Sequence, residues 1–126
     1  MQPPKPTEAE LEILNVLWAR GPSTVRDVHE EICRGKTAQY TTVLKTLQIM
    51  SEKNLVRRDE RQRAHVYAAT KPMEWTQKQI AGDLLQRAFG GSARSLLMGA
   101  LSARKASKDE LNSIRQLLDE YEKESK

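Results

Sequence analysis

A chain of 126 residues suffices for one ordinary domain or two small ones, and 21 Lys/Arg against 17 Asp/Glu leave a net charge of +4. A single cysteine, Cys33, excludes an intramolecular disulfide framework, and there is no leader-like segment or apolar run long enough to span a membrane, so a cytoplasmic protein is expected. There is no Gly-rich phosphate loop, metal-ligand cluster or nucleophile with a matched His and acid, so neither an enzyme nor a cofactor or metal is expected.

Residues 1–6, with three prolines, read as a frayed arm. Thr7-x-x-Glu10 is a capping box, in which hydroxyl and carboxylate satisfy orphan amides at a helix start. Leu11, Leu14, Leu17 and Trp18 then form an apolar stripe, and Gly21-Pro22 stops the helix near Arg20. Thr24 with Asp27 caps a short second helix with Val25, Val28 and Ile32 inward, ending near Gly35. Cys33, near that end, reads as a small buried or half-buried hydrophobe. His29 has no visible partner and is assigned no role. After a connector, Lys36 to Ala38, a third helix runs from Gln39 to about Lys53 and buries Val43, Leu47 and Met50. Asn54 can take the left-handed conformation that closes it, a place more often held by Gly.

Two strands follow, Leu55–Arg58 and His65–Ala68, around a charged turn from Asp59 to Ala64. Three helices and a two-stranded β wing in about seventy residues is the order of a winged helix-turn-helix. Thr70-Lys71-Pro72 marks a break, giving a domain over residues 1–72 and a second over 73–126. The second reads as three helices. Glu74 to Phe89 carries Ile80, Ala81, Leu84, Leu85, Ala88 and Phe89 on one side and ends at Gly90-Gly91. A middle segment capped by Ser92 carries Leu96, Leu97, Ala100 and Leu101. A last helix opens on a further capping box, Ser107-x-x-Glu110, and carries Leu111, Ile114, Leu117, Leu118 and Tyr121. The fold class is therefore mainly α, a winged helix followed by a three-helix dimerisation domain. So small a unit cannot bury three apolar stripes alone. A second copy solves this, with Leu84, Leu85, Phe89, Leu96, Leu97, Leu101, Leu111, Ile114, Leu117, Leu118 and Tyr121 as the pairing surface. The alternative is a monomeric appendage packed on the winged helix.

Charge is polarised along the chain. Residues 1–33 sum to −3, residues 34–71 to +6 and residues 72–126 to +1. A basic middle fits a polyanion approached from one side, although an unevenly charged solvated surface reads the same way. If Val43, Leu47 and Met50 face inward, the 3.6-residue period turns Gln39, Thr42, Lys45 and Thr46 outward, with Tyr40 and Thr41 at the helix start. Thr methyls can meet thymine methyls, Gln can pair with adenine, and Lys reaches guanine or phosphate. In the wing, Arg61 and Arg63 at the turn are the better candidates for phosphate or minor-groove contact. Arg57 or Arg58 can instead form surface ion pairs with Asp59 or Glu60, and His65 reads as strand surface more than as a phosphate ligand. Double-stranded DNA is the expected partner. The rival reading is a winged helix used as a protein-interaction module, which would more often display aromatic or aliphatic anchors where this face has Gln39, Thr42 and Thr46.

The run Tyr40-Thr-Thr-Val-Leu-Lys-Thr-Leu47, then Glu52-Lys-Asn-Leu-Val56 and Arg63-Ala-His-Val-Tyr67, resembles the penicillinase-repressor family of the BlaI/MecI/CopY type. The opening Thr7-Glu-Ala-Glu-Leu-Glu-Ile-Leu14 with Leu17-Trp18, and Phe89-Gly-Gly-Ser92 with Ser95-Leu-Leu97, are similar to it too. The resemblance spans nearly the whole chain. It implies a homodimeric transcriptional repressor on a palindromic operator, with Thr42 and its neighbours in the major groove. In the best-known members a membrane-anchored sensor protease responds to a β-lactam, and the repressor is then cut in its C-terminal domain at an Asn-Phe bond. Gly99-Ala100 stands at that place here, and the paired cysteines of the copper-responsive cousins are missing.

Overall fold

The computed structural model describes residues 5–125. Most of the expected N-terminal arm lies outside them. The order is α1 (Glu8–Arg20), β1 (Ser23–Thr24), α2 (Val25–Cys33), α3 (Tyr40–Glu52), β2 (Val56–Asp59), β3 (Val66–Ala69), α4 (Met73–Ala88), α5 (Ala93–Ala103) and α6 (Lys108–Glu124). The chain divides into two compact units, one up to Ala81 and one from Gly82, so the division falls within α4.

In the first unit the caps set the helix starts. Thr7 and Glu10 exchange both bonds of a capping box, as do Thr24 and Asp27. Gly21, at φ 92°, ends α1 in a conformation that a Cβ would strain. At the end of α3, Asn54 sits at φ 62°. The Leu55 amide reaches back to Met50 O at 2.9 Å and the Asn54 amide to Ser51 O at 3.1 Å, the two bonds of a Schellman motif.

Ile13, Leu14 and Leu17 of α1, Val25, Val28 and Ile32 of α2, Val43, Leu47 and Met50 of α3, and Val56 and Tyr67 of the sheet form one core. Burying each of the larger aliphatic residues stabilises by roughly 1.5–3 kcal/mol. The inward faces of α2 and α3 are those the periodicity expects. On α1, Ile13 takes a core place while Leu11 and Trp18 stay half-buried. Trp18 Nε1 donates to Lys71 O at 3.0 Å, and Lys71 Nζ lies 5.2 Å from the Trp75 ring centroid.

The sheet has three strands rather than the expected two. β3 is central, with β2 antiparallel on one side (Val56 opposite Ala69, Arg58 opposite Tyr67) and β1 antiparallel on the other (Ser23 opposite Tyr67, Thr24 opposite Val66). β1 consists of the two residues ahead of α2, and Thr24 serves both as strand and as helix cap. Nothing in so short a stretch marks it as a strand; only a partner more than forty residues away does.

The second unit is helical. Ser92 caps α5, and Gly90 and Gly91, at φ 55° and 81°, make the preceding turn. Ser107 accepts the Glu110 amide, but the expected capping box is only half made, because the Glu110 carboxylate turns to Arg104 at 3.4 Å. No residue of α5 or α6 is buried in the single chain.

Candidate nucleic-acid interface

α3 begins without a side-chain cap. Gln39 occupies the N-cap in extended conformation, its side chain makes no capping bond, and no acidic residue lies in the first turn. By contrast, α1 and α2 start on Thr capping boxes with acids in their first turns. The positive end of α3 and its first-turn amides therefore stay available to an anion.

With Val43, Leu47 and Met50 buried, the opposite side of α3 is open. Gln39, Tyr40, Thr41, Thr42 and Lys45 are exposed, and Thr46 is half-buried. The Thr46 hydroxyl donates to Thr42 O at 2.8 Å, so its proton is committed to the helix and it can only accept from elsewhere. This surface carries polar groups, one cation and no acid.

In the wing, Arg61 and Arg63 are both exposed but differently engaged. Arg61 holds the Asp59 carboxylate with its backbone amide at 3.0 Å and its guanidinium at 2.7–3.2 Å. Those hydrogen bonds, the side-chain ones first, hold the Asp59 pKa down at about 2. The neighbouring Tyr67 hydroxyl, and the Glu60 carboxylate with which Arg58 is paired, raise the Arg58 pKa further. Among the described residues, Arg63 and Arg57 form no ion pair. The sequence set Arg61 and Arg63 apart at the turn and expected a surface pair at Arg57 or Arg58; Arg58 pairs with Glu60, but Arg61 is paired as well, because the turn between β2 and β3 folds back on Asp59. His65 is exposed.

Behind the start of α3, His29 has partners that the sequence did not reveal. Its Nε2 lies 2.8 Å from Ala38 O and 3.3 Å from Cys33 Sγ, and its ring meets Tyr40 edge-on at 5.6 Å. Cys33, expected to be a buried or half-buried hydrophobe, is exposed, with Sγ 3.5 Å from Ala38 O. The short α2 ends at Cys33 and turns that side chain toward the connector instead of the core. The only signal was the i, i+4 spacing of His29 and Cys33, which identifies a shared helix face but not its neighbour.

The expected pairing residues of the second unit are all incompletely covered. Leu85, Phe89, Leu96, Leu97, Leu101, Leu111 and Ile114 are half-buried. Leu84, Leu117, Leu118 and Tyr121 are 43%, 50%, 55% and 63% exposed, large apolar groups that the single chain leaves to solvent.

The model of the penicillinase repressor family matches residues 6–120. A transcriptional regulator, BlaI of Mycobacterium tuberculosis, is 33% identical over 120 residues, covering 91% of this chain and 83% of its own. The penicillinase repressor of Bacillus licheniformis is 23% identical over 98% of this chain and 96% of its own. Among solved structures, the solution structure of monomeric Bacillus licheniformis BlaI in complex with the blaP half-operator matches with a TM-score of 0.51. It is 22% identical and covers 58% of this chain and 89% of that one, which establishes a shared fold.

Proposed function

The chain belongs to the penicillinase repressor family, and we propose on that footing that it is a transcriptional repressor which binds double-stranded DNA and performs no chemistry. Residues 1–72 read the DNA, with α3 in the major groove and the wing on the backbone or minor groove. Residues 73–126 pair two copies, so that a palindromic operator is held through both half-sites. The carrying observation is the open face of α3, where Gln39, Thr41, Thr42 and Lys45 are exposed beside an uncapped, acid-free helix start. The relative solved on a half-operator supports one half-site per chain. The uncovered apolar groups of α4–α6 support the homodimer.

Among the described residues no helix is long and apolar enough to cross a membrane, and a cytoplasmic place of action is part of the proposal. Relief of repression by a sensor-activated protease is the remaining part of the proposal. The bond cut would differ from the Asn-Phe of the best-known members, since Gly99-Ala100 lies exposed in α5.

The test is affinity for a mixed-sequence duplex as salt is raised. Each neutralised phosphate should contribute a slope of about 0.9 log unit per log unit of salt. A flat dependence would mean that the basic wing and α3 do not meet phosphate.

A further inference from the structure

The Ala38 carbonyl, one residue ahead of the α3 cap, is gripped from α2 by two side chains a helical turn apart. His29 Nε2 stands 2.8 Å from it and Cys33 Sγ 3.5 Å. A carbonyl oxygen only accepts, so Nε2 carries the hydrogen in this arrangement. The same ring packs edge-on against Tyr40, with the planes at 77°. His29 therefore touches the residues on both sides of Gln39, the N-cap whose own side chain makes no capping bond.

A helix start is ordinarily fixed by its own cap, as Thr7 fixes α1 and Thr24 fixes α2. At α3 a short capping carboxylate or hydroxyl would occupy first-turn amides and, if acidic, repel phosphate. Restraint applied from the far side avoids both effects. We infer that His29 is a positioning residue for DNA reading: it holds the connector at Ala38 and the ring of Tyr40, and so sets where the first turn of α3 lies while leaving its outer face clear. This rests on the DNA-binding function proposed above.

The consequence falls on specificity more than on affinity as such. Base-edge hydrogen bonds need close placement of Gln39 and Thr42, whereas flexible arginines reach phosphates from many positions. Releasing the grip should therefore lower preference for a selected sequence and spare binding to arbitrary DNA.

The experiment uses the full chain and two probes, a duplex selected from a random-sequence pool by the unaltered protein and a mixed-sequence duplex of equal length. His29→Phe keeps a ring against Tyr40 but has no donor for Ala38. It is expected to lower the ratio of the two affinities about tenfold, the scale of one well-placed hydrogen bond. His29→Gln places an amide nitrogen near the lost Nε2 and should restore most of the ratio. Thermal unfolding and sedimentation should show both variants folded and associated as the unaltered protein is. If His29→Phe does not fold, His29→Asn, whose amide is one bond shorter, replaces it with the same expected loss. A ratio unchanged in the donorless variant, or a fall in both affinities together with thermal stability, overturns the inference. So does ring-nitrogen NMR of the unaltered protein that places the hydrogen on Nδ1. Failure of the unaltered protein to select any sequence would remove the DNA reading itself, a separate result.

Discussion

Lys53 Nζ donates to both carboxylate oxygens of Glu10, at 2.9 and 3.2 Å, and so ties the C-cap of α3 to the first turn of α1. Glu10 is only 3% exposed and also accepts the Thr7 amide at 2.9 Å. Burial pushes its pKa up, but the Thr7 amide and Lys53 outweigh burial and leave it below the usual 4.5. The folded-state value is thus the lower one. The stabilisation is complete above about pH 4.5 and is lost as pH falls through the folded-state value. Urea unfolding at pH 7 should find Glu10→Ala less stable by about 1–3 kcal/mol, from the lost cap and pair. The gap between the variant and the unaltered protein should narrow toward pH 3.

Asn54 is the described non-glycine residue with positive φ. Asn54→Gly should leave stability within about 0.5 kcal/mol or raise it, whereas Asn54→Ala should cost about 1 kcal/mol, since a Cβ without a polar group disfavours the left-handed region. Equal stability of the two variants in thermal unfolding would count against the Schellman closure of α3.

Thr42 lies exposed on the outer side of α3. Thr42→Ala should reduce the preference for a selected duplex over mixed sequence by roughly 1 kcal/mol, about fivefold, and leave sedimentation unchanged. An unaltered preference would show that α3 faces DNA along some other line.

The wing offers a pair of opposed changes. Asp59, with a pKa of about 2, is charged at any ordinary pH and keeps Arg61 engaged. Asp59→Asn should release that guanidinium and tighten binding to mixed-sequence duplex. Arg63→Ala removes an exposed, unpaired cation and should lower the salt slope by about 0.9. If neither change moves affinity, the wing does not approach the phosphates.

Leu117 is half exposed in a helix with no buried residue. Leu117→Asp should yield monomers by sedimentation and bind a two-half-site duplex far more weakly, while binding to a single half-site changes little. A monomeric variant with full two-site affinity would refute the pairing role of the second unit.

Much of this architecture could be read from local signals. The capping boxes at Thr7 and Thr24 placed α1 and α2, and the spacings of Val25, Val28 and Ile32 and of Val43, Leu47 and Met50 identified the inner faces of α2 and α3. Asn54 closed α3 as its side chain allows. What went unread was of two kinds: the third strand at Ser23–Thr24 needed a partner more than forty residues away, whereas the Glu110 carboxylate diverted to Arg104 and the exposure of Cys33 depended on how a nearby turn or connector folds back.

The sequence by itself determined where helices start and stop, which residues lie inward, and that a polar, cation-bearing face on α3 stands next to an arginine-rich turn. These follow from periodicity and capping, whose range is a few residues. Tertiary structure decided the pairing of charges and grips: Lys53 with Glu10 and His29 with Ala38. Hydrogen bonds and ion pairs depend on separations of a few ångströms, and only the packed chain brings Lys53 and Glu10, forty-three positions apart, within that reach.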